Sequence, residues 1–173
     1  MSSQEIVRGF LRCYQQHDFK GMQAYLTDDV EFSDFAFKLR GKAVKAMWHW
    51  FCMPYPPRPE PVKVPEFEVV GVEGDPHKRD RQVNRVTAHY RVAYLYGETL
   101  RPVDYWIRST FTVRDGKIVA QTDQFDTLSP FQFAKMAFGL PTALLAFTPL
   151  LRSTVQKKAR EKLDKFSREY GYY

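Results

Sequence analysis

Residues 115–126, with the sequence DGKIVAQTDQFD, contain the feature that decides how this chain folds. The Asp-Gly pair at 115–116 predicts a tight turn, and the residues after it predict a β-strand. Asp123 stands in that strand among uncharged residues. A carboxylate on the buried face of a sheet is costly unless it is paired, protonated or used in function. The face on which Asp123 lies therefore decides whether the sheet carries a candidate active site.

The length of the turn sets the face of Asp123. With a two-residue loop at 115–116, Asp123 would point outward, away from the core. With a three-residue loop at 114–116 and a glycine bulge, Ile107 would oppose Asp123, which would then point inward. A slip of one residue moves every side chain to the opposite face, and the residues fit both turns.

The second half of the chain predicts four long antiparallel strands. They lie at about 66–73, 82–96, 100–114 and 117–126, with turn-rich residues at 74–80 between the first two. A two-residue turn at Gly97-Glu98 would pair Tyr90 with Tyr105. This register gathers the apolar residues of both strands on one face and leaves His89 and Arg91 on the other. That mixed outer face suits solvent or a subunit interface.

The first half predicts three helices and one strand. Apolar spacing and an Asp18 cap indicate helices at 3–17, after 18 and at 41–51, and alternation indicates a strand at 28–37. In that strand Phe32 and Asp34 share a face. In the third helix His49 lies opposite the apolar stripe and is expected in solvent. Six prolines in residues 54–65 predict a stiff extended connector.

The residues after the sheet predict more helices. Ser129 followed by Pro130 is typical of a helix start, and a basic amphipathic helix begins near Arg152. We expect residues 129–173 to form a helical extension packed on a domain of residues 1–128. A basic amphipathic helix also permits contact with an anionic membrane surface, which we do not expect here. The element order predicts an α+β fold, in which three N-terminal helices pack on a cone-shaped, curved antiparallel sheet.

The composition narrows the class of protein. The chain has 173 residues and a net charge of +6. Residues 152–173 hold seven Lys/Arg against three Asp/Glu, so the basic character is local and argues against nucleic-acid binding. Two cysteines, Cys13 and Cys52, give neither a disulfide framework nor a metal cluster. The start shows no signal-peptide pattern and the apolar residues 138–151 are too few to span a bilayer, so we expect a cytoplasmic protein.

Two segments resemble the nuclear transport factor 2-like superfamily: residues 25–30 (YLTDDV) before a strand, and residues 111–119 (FTVRDGKIV) near the end of the sheet. That superfamily includes ketosteroid isomerases, SnoaL-type polyketide cyclases and limonene-epoxide hydrolases. The resemblance covers about residues 5–127. Residues 138–149 look like an extension found in a bacterial subgroup with no assigned reaction. The resemblance favours the inward alternative for Asp123.

The resemblance implies two candidate catalytic residues. Asp34 falls where ketosteroid isomerases have their proton-shuttling aspartate. Asp123 matches the last-strand aspartate that acts as acid and base in SnoaL-type cyclases. The isomerase oxyanion tyrosine matches Phe10, and its oxyanion carboxylic acid falls near Ser109. A true ketosteroid isomerase is therefore not expected, because enolisation needs donors at the developing oxyanion.

The resemblance to limonene-epoxide hydrolases is incomplete. Asp123 matches one of their carboxylates. Their Arg-x-Asp pair falls on His89 and Arg91, and their tyrosine and asparagine fall on Phe32 and Asp34. Epoxide hydrolysis by that mechanism is not expected.

Two inward aspartates would share an aromatic cavity. Its other predicted lining residues are Phe10, Tyr14, Phe32, Trp48, Tyr90, Tyr105, Ser109, Phe111, Gln121 and Phe125. Low polarity raises carboxyl pKa values, and two neighbouring carboxylates titrate apart. One acid and one base could then work near neutral pH, with no metal and no cofactor.

Two functional hypotheses remain open. The first is a cofactor-independent enzyme that isomerises, cyclises or hydrates a small hydrophobic carbonyl compound. The second is a non-catalytic module that binds an apolar ligand or a protein partner, in which Asp123 bonds to Tyr14, Tyr90 or Tyr105 in a polar core network. We also expect a homodimer through the outer face of the sheet.

Overall fold

The fold is taken from a computed structural model that describes residues 1–74, 83–97, 99–143 and 149–173. Most of the predicted turn at 74–80, Glu98 and part of the apolar run 138–151 lie outside the described residues. Within the described ranges, no helix is long and apolar enough to cross a membrane.

Three helices form the N-terminal layer. They are α1 (Ser3–Gln15), α2 (Phe19–Ala24) and α3 (Lys42–Phe51). Ser2 and Glu5 form a capping box at the start of α1. Asp18 caps α2 by accepting a hydrogen bond of 2.9 Å from the backbone N–H of Gly21. The three predicted helices are confirmed to within two residues at each end.

In the described part of the chain, six strands form one sheet against these helices. They are β1 (Leu26–Ser33), β2 (Lys38–Arg40), β3 (Phe67–Gly74), β4 (Asn84–Leu95), β5 (Pro102–Arg114) and β6 (Lys117–Phe125), in the order β2-β1-β6-β5-β4-β3. Side chains such as Phe10, Trp48 and Phe111 fill the core between helices and sheet, each at most 2% exposed. The predicted α+β cone is confirmed. The sheet is mixed, however, because β1 and β6 run parallel while the other neighbours are antiparallel.

The predicted strand at 28–37 ends earlier than expected, at Ser33. The next residues form the turn of a hairpin that leads into β2, and Asp34 begins that turn. Its backbone N–H donates to the carbonyl of Phe37 at 3.0 Å. An aspartate that bonds to nearby backbone N–H groups gives the chain an alternative to the strand. Asp34 therefore sits at a hairpin tip.

The loop between β4 and β5 is longer than predicted. The N–H of Tyr96 donates to the carbonyl of Arg101 at 2.8 Å, so four residues, 97–100, separate the paired positions. Tyr90 consequently opposes Ile107, and the predicted pair with Tyr105 is wrong. A shift of two residues keeps every side chain on its face.

The turn between β5 and β6 combines features of both alternatives. Asp115 and Gly116 have φ values of 49° and 76°, as a two-residue loop of the primed type requires. An extra residue in β6, Val119, then bulges and shifts the register by one position. Ser109 therefore opposes Asp123, which points inward and is 9% exposed. The expected inward face is confirmed, but it arises from a two-residue loop with a bulge and not from the three-residue alternative.

The proline-rich residues 54–65 pack into the domain. Tyr55, Arg58, Val62 and Val64 are all less than 9% exposed. The backbone of Lys63 pairs with that of β4 through two hydrogen bonds of 3.0 Å. The segment is neither helix nor central strand, as predicted, but it is part of the core and not a free spacer.

In its described residues, the extension after the sheet contains three helices. They are α4 (Pro130–Phe138), α5 (Leu140–Ala143) and α6 (Pro149–Glu169). Ser129 caps α4, as predicted, and Gly139 ends it with a φ of 89°. The start of α6 is three residues earlier than expected. Phe166 of α6 is fully buried, and the hydroxyl of Tyr55 donates to Glu169 at 2.7 Å.

This packing changes the environment of His49. Its ring stacks on Phe19 at 3.8 Å and meets the edge of Phe166 at 5.2 Å. His49 is half-buried, and burial lowers its pKa. The expectation of a solvated His49 is wrong, because the sequence pattern of α3 alone does not reveal the helix that covers it.

Candidate functional site

A cavity of about 910 Å³ lies between the inner face of the sheet, α3, the proline-rich segment and the extension. The lining includes eight residues that the sequence predicted: Tyr14, Phe32, Asp34, Trp48, Tyr90, Tyr105, Asp123 and Phe125. The expectation that Phe10, Ser109, Phe111 and Gln121 also line it is wrong. These four lie deeper in the core. Phe10 packs against Phe111 at a ring distance of 5.8 Å, and the other two bond to Asp123.

Asp123 is held by three side chains. Its Oδ1 accepts hydrogen bonds from the hydroxyl of Ser109 at 2.6 Å and from Nε2 of Gln121 at 2.9 Å. Its Oδ2 accepts a short hydrogen bond from the hydroxyl of Tyr90. Burial raises the pKa of Asp123, and the three hydrogen bonds oppose that rise. Both oxygens are thus occupied by donors of the protein itself.

Asp34 is arranged differently, at the tip of the β1–β2 hairpin. Its Oδ1 accepts hydrogen bonds from the backbone N–H groups of Ala36 at 2.7 Å and Phe37 at 2.6 Å. Its Oδ2 makes no hydrogen bond with any other described residue. One oxygen therefore fixes the side chain, and the other remains available in a cavity wall.

Burial and the neighbouring Asp123 change the protonation of Asp34. Burial raises the pKa of Asp34 to about 7, and the negative charge of Asp123 adds to the rise. The two backbone hydrogen bonds work in the opposite direction. A carboxyl group with a pKa near neutrality can both remove and return a proton at physiological pH.

Hydroxyl groups line the cavity between the aromatic rings. The hydroxyl of Tyr14 has no hydrogen-bond partner among the residues described. Those of Tyr94 and Tyr105 are 3.4 Å apart. Burial holds the pKa of Tyr14 and Tyr105 well above the usual tyrosine value, so both stay neutral donors.

Several residues that line the cavity were not predicted from the sequence. Arg58 comes from the proline-rich segment, Tyr94 from β4, and Phe133, Phe138 and Val155 from the extension. Tyr94 was on the predicted inner face, which could have identified it. Arg58 lies in a segment with no periodicity, so only the three-dimensional packing brings it to the cavity. The extension residues carry apolar patterns that predict burial, but not what they cover.

In the described part of the chain, no three His, Cys, Asp or Glu side chains form a group that could hold a metal ion.

A family model described as "SnoaL-like domain" matches residues 7–121. Among solved structures, the chain is similar to a candidate polyketide cyclase from Pseudomonas putida KT2440, with 16% identity, 73% and 93% coverage of the two chains and a TM-score of 0.54. It is also similar to an LEH-like epoxide hydrolase from M. tuberculosis, with 20% identity, 84% and 94% coverage and a TM-score of 0.52.

An NTF2-like protein of unknown function from Cytophaga hutchinsonii is a further relative in structure, with 11% identity, 73% and 91% coverage and a TM-score of 0.50. At these identities the similarity concerns the fold alone. No curated protein matches the chain. The family model covers the three helices and most of the sheet, and stops before α4. The chain belongs to the SnoaL-like domain family.

Proposed function

We propose that the cavity is the active site of a cofactor-independent enzyme. It would move a proton on a small hydrophobic carbonyl compound, in an isomerisation, cyclisation or hydration. The observation that supports this most is Asp34, whose Oδ1 is held by two backbone N–H groups while Oδ2 is unpaired among the described residues. Its pKa of about 7 suits transfer in both directions.

The proposed first step uses Asp34 as the base. Its carboxylate removes a proton from the carbon next to the substrate carbonyl, and negative charge develops on the carbonyl oxygen. The neutral hydroxyl of Tyr14 is proposed to donate a hydrogen bond to that oxygen, since it lines the cavity and has no described partner. The protonated Asp34 then returns its proton to another carbon or to an oxygen of the same molecule.

Asp123 is proposed to act mainly on Asp34. Its own oxygens are occupied by Ser109, Gln121 and Tyr90. Its charge raises the pKa of Asp34 towards the working pH. In this role Asp123 is a positioning residue.

The test is hydrogen exchange on a simple ketone. Benzylacetone in D2O should lose its α-proton signals in the ¹H NMR spectrum faster with the wild-type protein than with buffer. Asp34→Asn should slow the catalysed exchange by about 10²–10⁴-fold, the usual contribution of a general base. Asp29→Asn is the matched control, because Asp29 lies on β1, the strand that leads to Asp34, and its side chain is 73% exposed.

Two results would contradict the proposal. One is exchange with Asp34→Asn at the wild-type rate. The other is binding of benzylacetone by the wild-type protein without any exchange, which is the behaviour of a module that only binds apolar ligands.

We also propose a cytoplasmic homodimer that joins through the outer face of β4 and β5. The free thiols of Cys13 and Cys52 suit a reducing compartment. The outer face carries Trp106 beside the ion pair of Arg91 with Asp104, at 2.7 Å. Light scattering after size-exclusion chromatography should give twice the mass of one chain, and Trp106→Glu should yield monomers.

A further inference from the structure

Arg58 is a buried cation in the cavity wall. It comes from the proline-rich segment, is 7% exposed and lines the cavity. Its Nη2 donates to the backbone carbonyls of Trp50 and, at 3.0 Å, of Met53, just beyond the end of α3. The guanidinium carbon lies 5.7 Å from the ring centre of Trp50 and 5.9 Å from that of Phe51. These contacts fix the group in one orientation.

The charge of Arg58 has no counter-ion among the residues that the structure describes. No described carboxylate lies within ion-pair distance of it. The ionisable groups that act on it most are Tyr14, Tyr94 and Cys52, all of which are neutral at pH 7 because burial raises their pKa. A buried charge without a partner is unfavourable, and a ligand that brings the opposite charge removes that cost.

Part of the guanidinium is also free to bind. Nη2 is occupied by the two backbone carbonyls, but Nη1 makes no hydrogen bond with any described residue. Nε is buried and likewise has no partner in the described ranges. Capping of α3 therefore uses only one of the three guanidinium nitrogens. The cap alone does not explain why residue 58 is an arginine.

We propose that Arg58 binds the carboxylate of the ligand, so that the natural substrate is an apolar carboxylic acid that also contains a carbonyl group. The guanidinium is the preferred protein partner of a carboxylate, and it stays charged even when buried. The inference rests on the proposed function only for the reacting end of the molecule.

The shared cavity indicates how the two ends of the ligand are arranged. Asp34, Tyr94 and Arg58 all line it, and the charges of Asp34 and Arg58 both act on the hydroxyl of Tyr94. A molecule that spans the cavity would then have its acid group at Arg58 and its reacting carbon at Asp34. Aromatic rings, including those of Tyr14 and Trp48, line the space between.

The experiment compares an acid with its neutral isostere. Naphthylacetate and naphthylacetamide have the same shape and differ in charge. By titration calorimetry at neutral pH, the wild-type protein should bind the acid at least about tenfold more tightly, as expected for a hydrogen bond to a charged group. Arg58→Met should bind both with similar affinity and should leave the affinity for the amide within about threefold. Lys63→Met, in the same segment but with a half-exposed side chain paired to Glu60, should keep the preference.

Several results would overturn the inference, and one would show that the inference holds while the proposed function does not. Equal affinities of the wild-type protein for the two compounds, or no binding of either, would overturn it, as would a preference retained in Arg58→Met. If Arg58→Met does not fold, a crystal structure of the wild-type protein with naphthylacetate decides. A carboxylate on Nη1 supports the inference, and one bound elsewhere overturns it. An acid preference without catalysed exchange would leave the inference standing while the proposed function fails.

Discussion

The hairpin tip and the last strand each bring one carboxylate to the cavity, and the two differ in what holds them. Asp123 in β6 accepts hydrogen bonds on both oxygens, from Ser109, Gln121 and Tyr90. Asp34 at the hairpin tip accepts two backbone hydrogen bonds on one oxygen only. The carboxylate deeper in the sheet is therefore the one whose two oxygens both have donors in the protein.

This difference shows how one fold can give two acidic groups different roles. A carboxylate surrounded by protein donors is held in one position. A carboxylate with one free oxygen in a cavity can exchange its proton with a ligand. Burial raises the pKa of the second, and the charge of the first adds to that rise.

The largest expected effect is on how the free energy of unfolding depends on pH, and it tests the environment of Asp34. The folded protein holds a proton on Asp34 up to about pH 7, whereas the unfolded chain releases it near 3.8. The protein therefore binds more protons when folded, and stability falls as the pH rises from about 4 through 7. The loss from this group should be on the order of 2–4 kcal/mol.

Urea unfolding at pH 4.5 and pH 8, followed by tryptophan fluorescence, measures this loss. Between pH 4.5 and pH 8, the free energy of unfolding of Asp34→Asn should fall less than that of the wild-type protein. The difference should equal the loss attributed to Asp34. An equal dependence on pH in both proteins would mean that Asp34 titrates normally and that the contrast between the two carboxylates is false.

The next largest effect concerns the bonds of Asp123. In Asp123→Asn one acceptor oxygen becomes an NH2 group, which faces donors in a buried site. We expect the free energy of unfolding to fall by about 1–3 kcal/mol, the cost of a buried polar group left without its partner.

Asp29→Asn is the control for this change, because Asp29 lies on β1, next to β6 in the sheet. Its ion pair with Arg40, at 3.7 Å, is exposed and should contribute little. If the two variants are equally stable, the hydrogen bonds of Asp123 do not distinguish a buried carboxylate of the sheet from an exposed one.

Local patterns in the sequence were enough to predict most of the fold. Alternation identified β4, β5 and β6, and caps at Asp18 and Ser129 located the starts of α2 and α4. These features depend on residues near in the chain, where backbone geometry and side-chain chemistry act together. The inward face of Asp123 could not be predicted in this way, because it depends on a bulge at Val119 that only the packed sheet reveals.

The candidate site was predicted only in part, because local patterns reveal strand and helix faces but not contacts between distant segments. The two aspartates and six aromatic residues were expected from strand faces, helix faces and family resemblance. Arg58 and the extension residues were not, because contacts between segments distant in sequence bring them to the cavity. His49 shows the same limit, since its burial depends on α6, more than 100 residues away.

The smallest expected effect links the two carboxylates directly. Replacing Asp123 by Asn removes a negative charge that helps to raise the pKa of Asp34. The pKa of Asp34 should therefore fall from about 7 towards its ordinary value, while burial still keeps it elevated. A titration of the side-chain carboxyl groups by ¹³C NMR measures the shift, with Asp104→Asn as the control that should leave Asp34 unchanged. An unaltered pKa in Asp123→Asn would mean that Asp123 carries no charge at neutral pH, and that its three partners hold a protonated group.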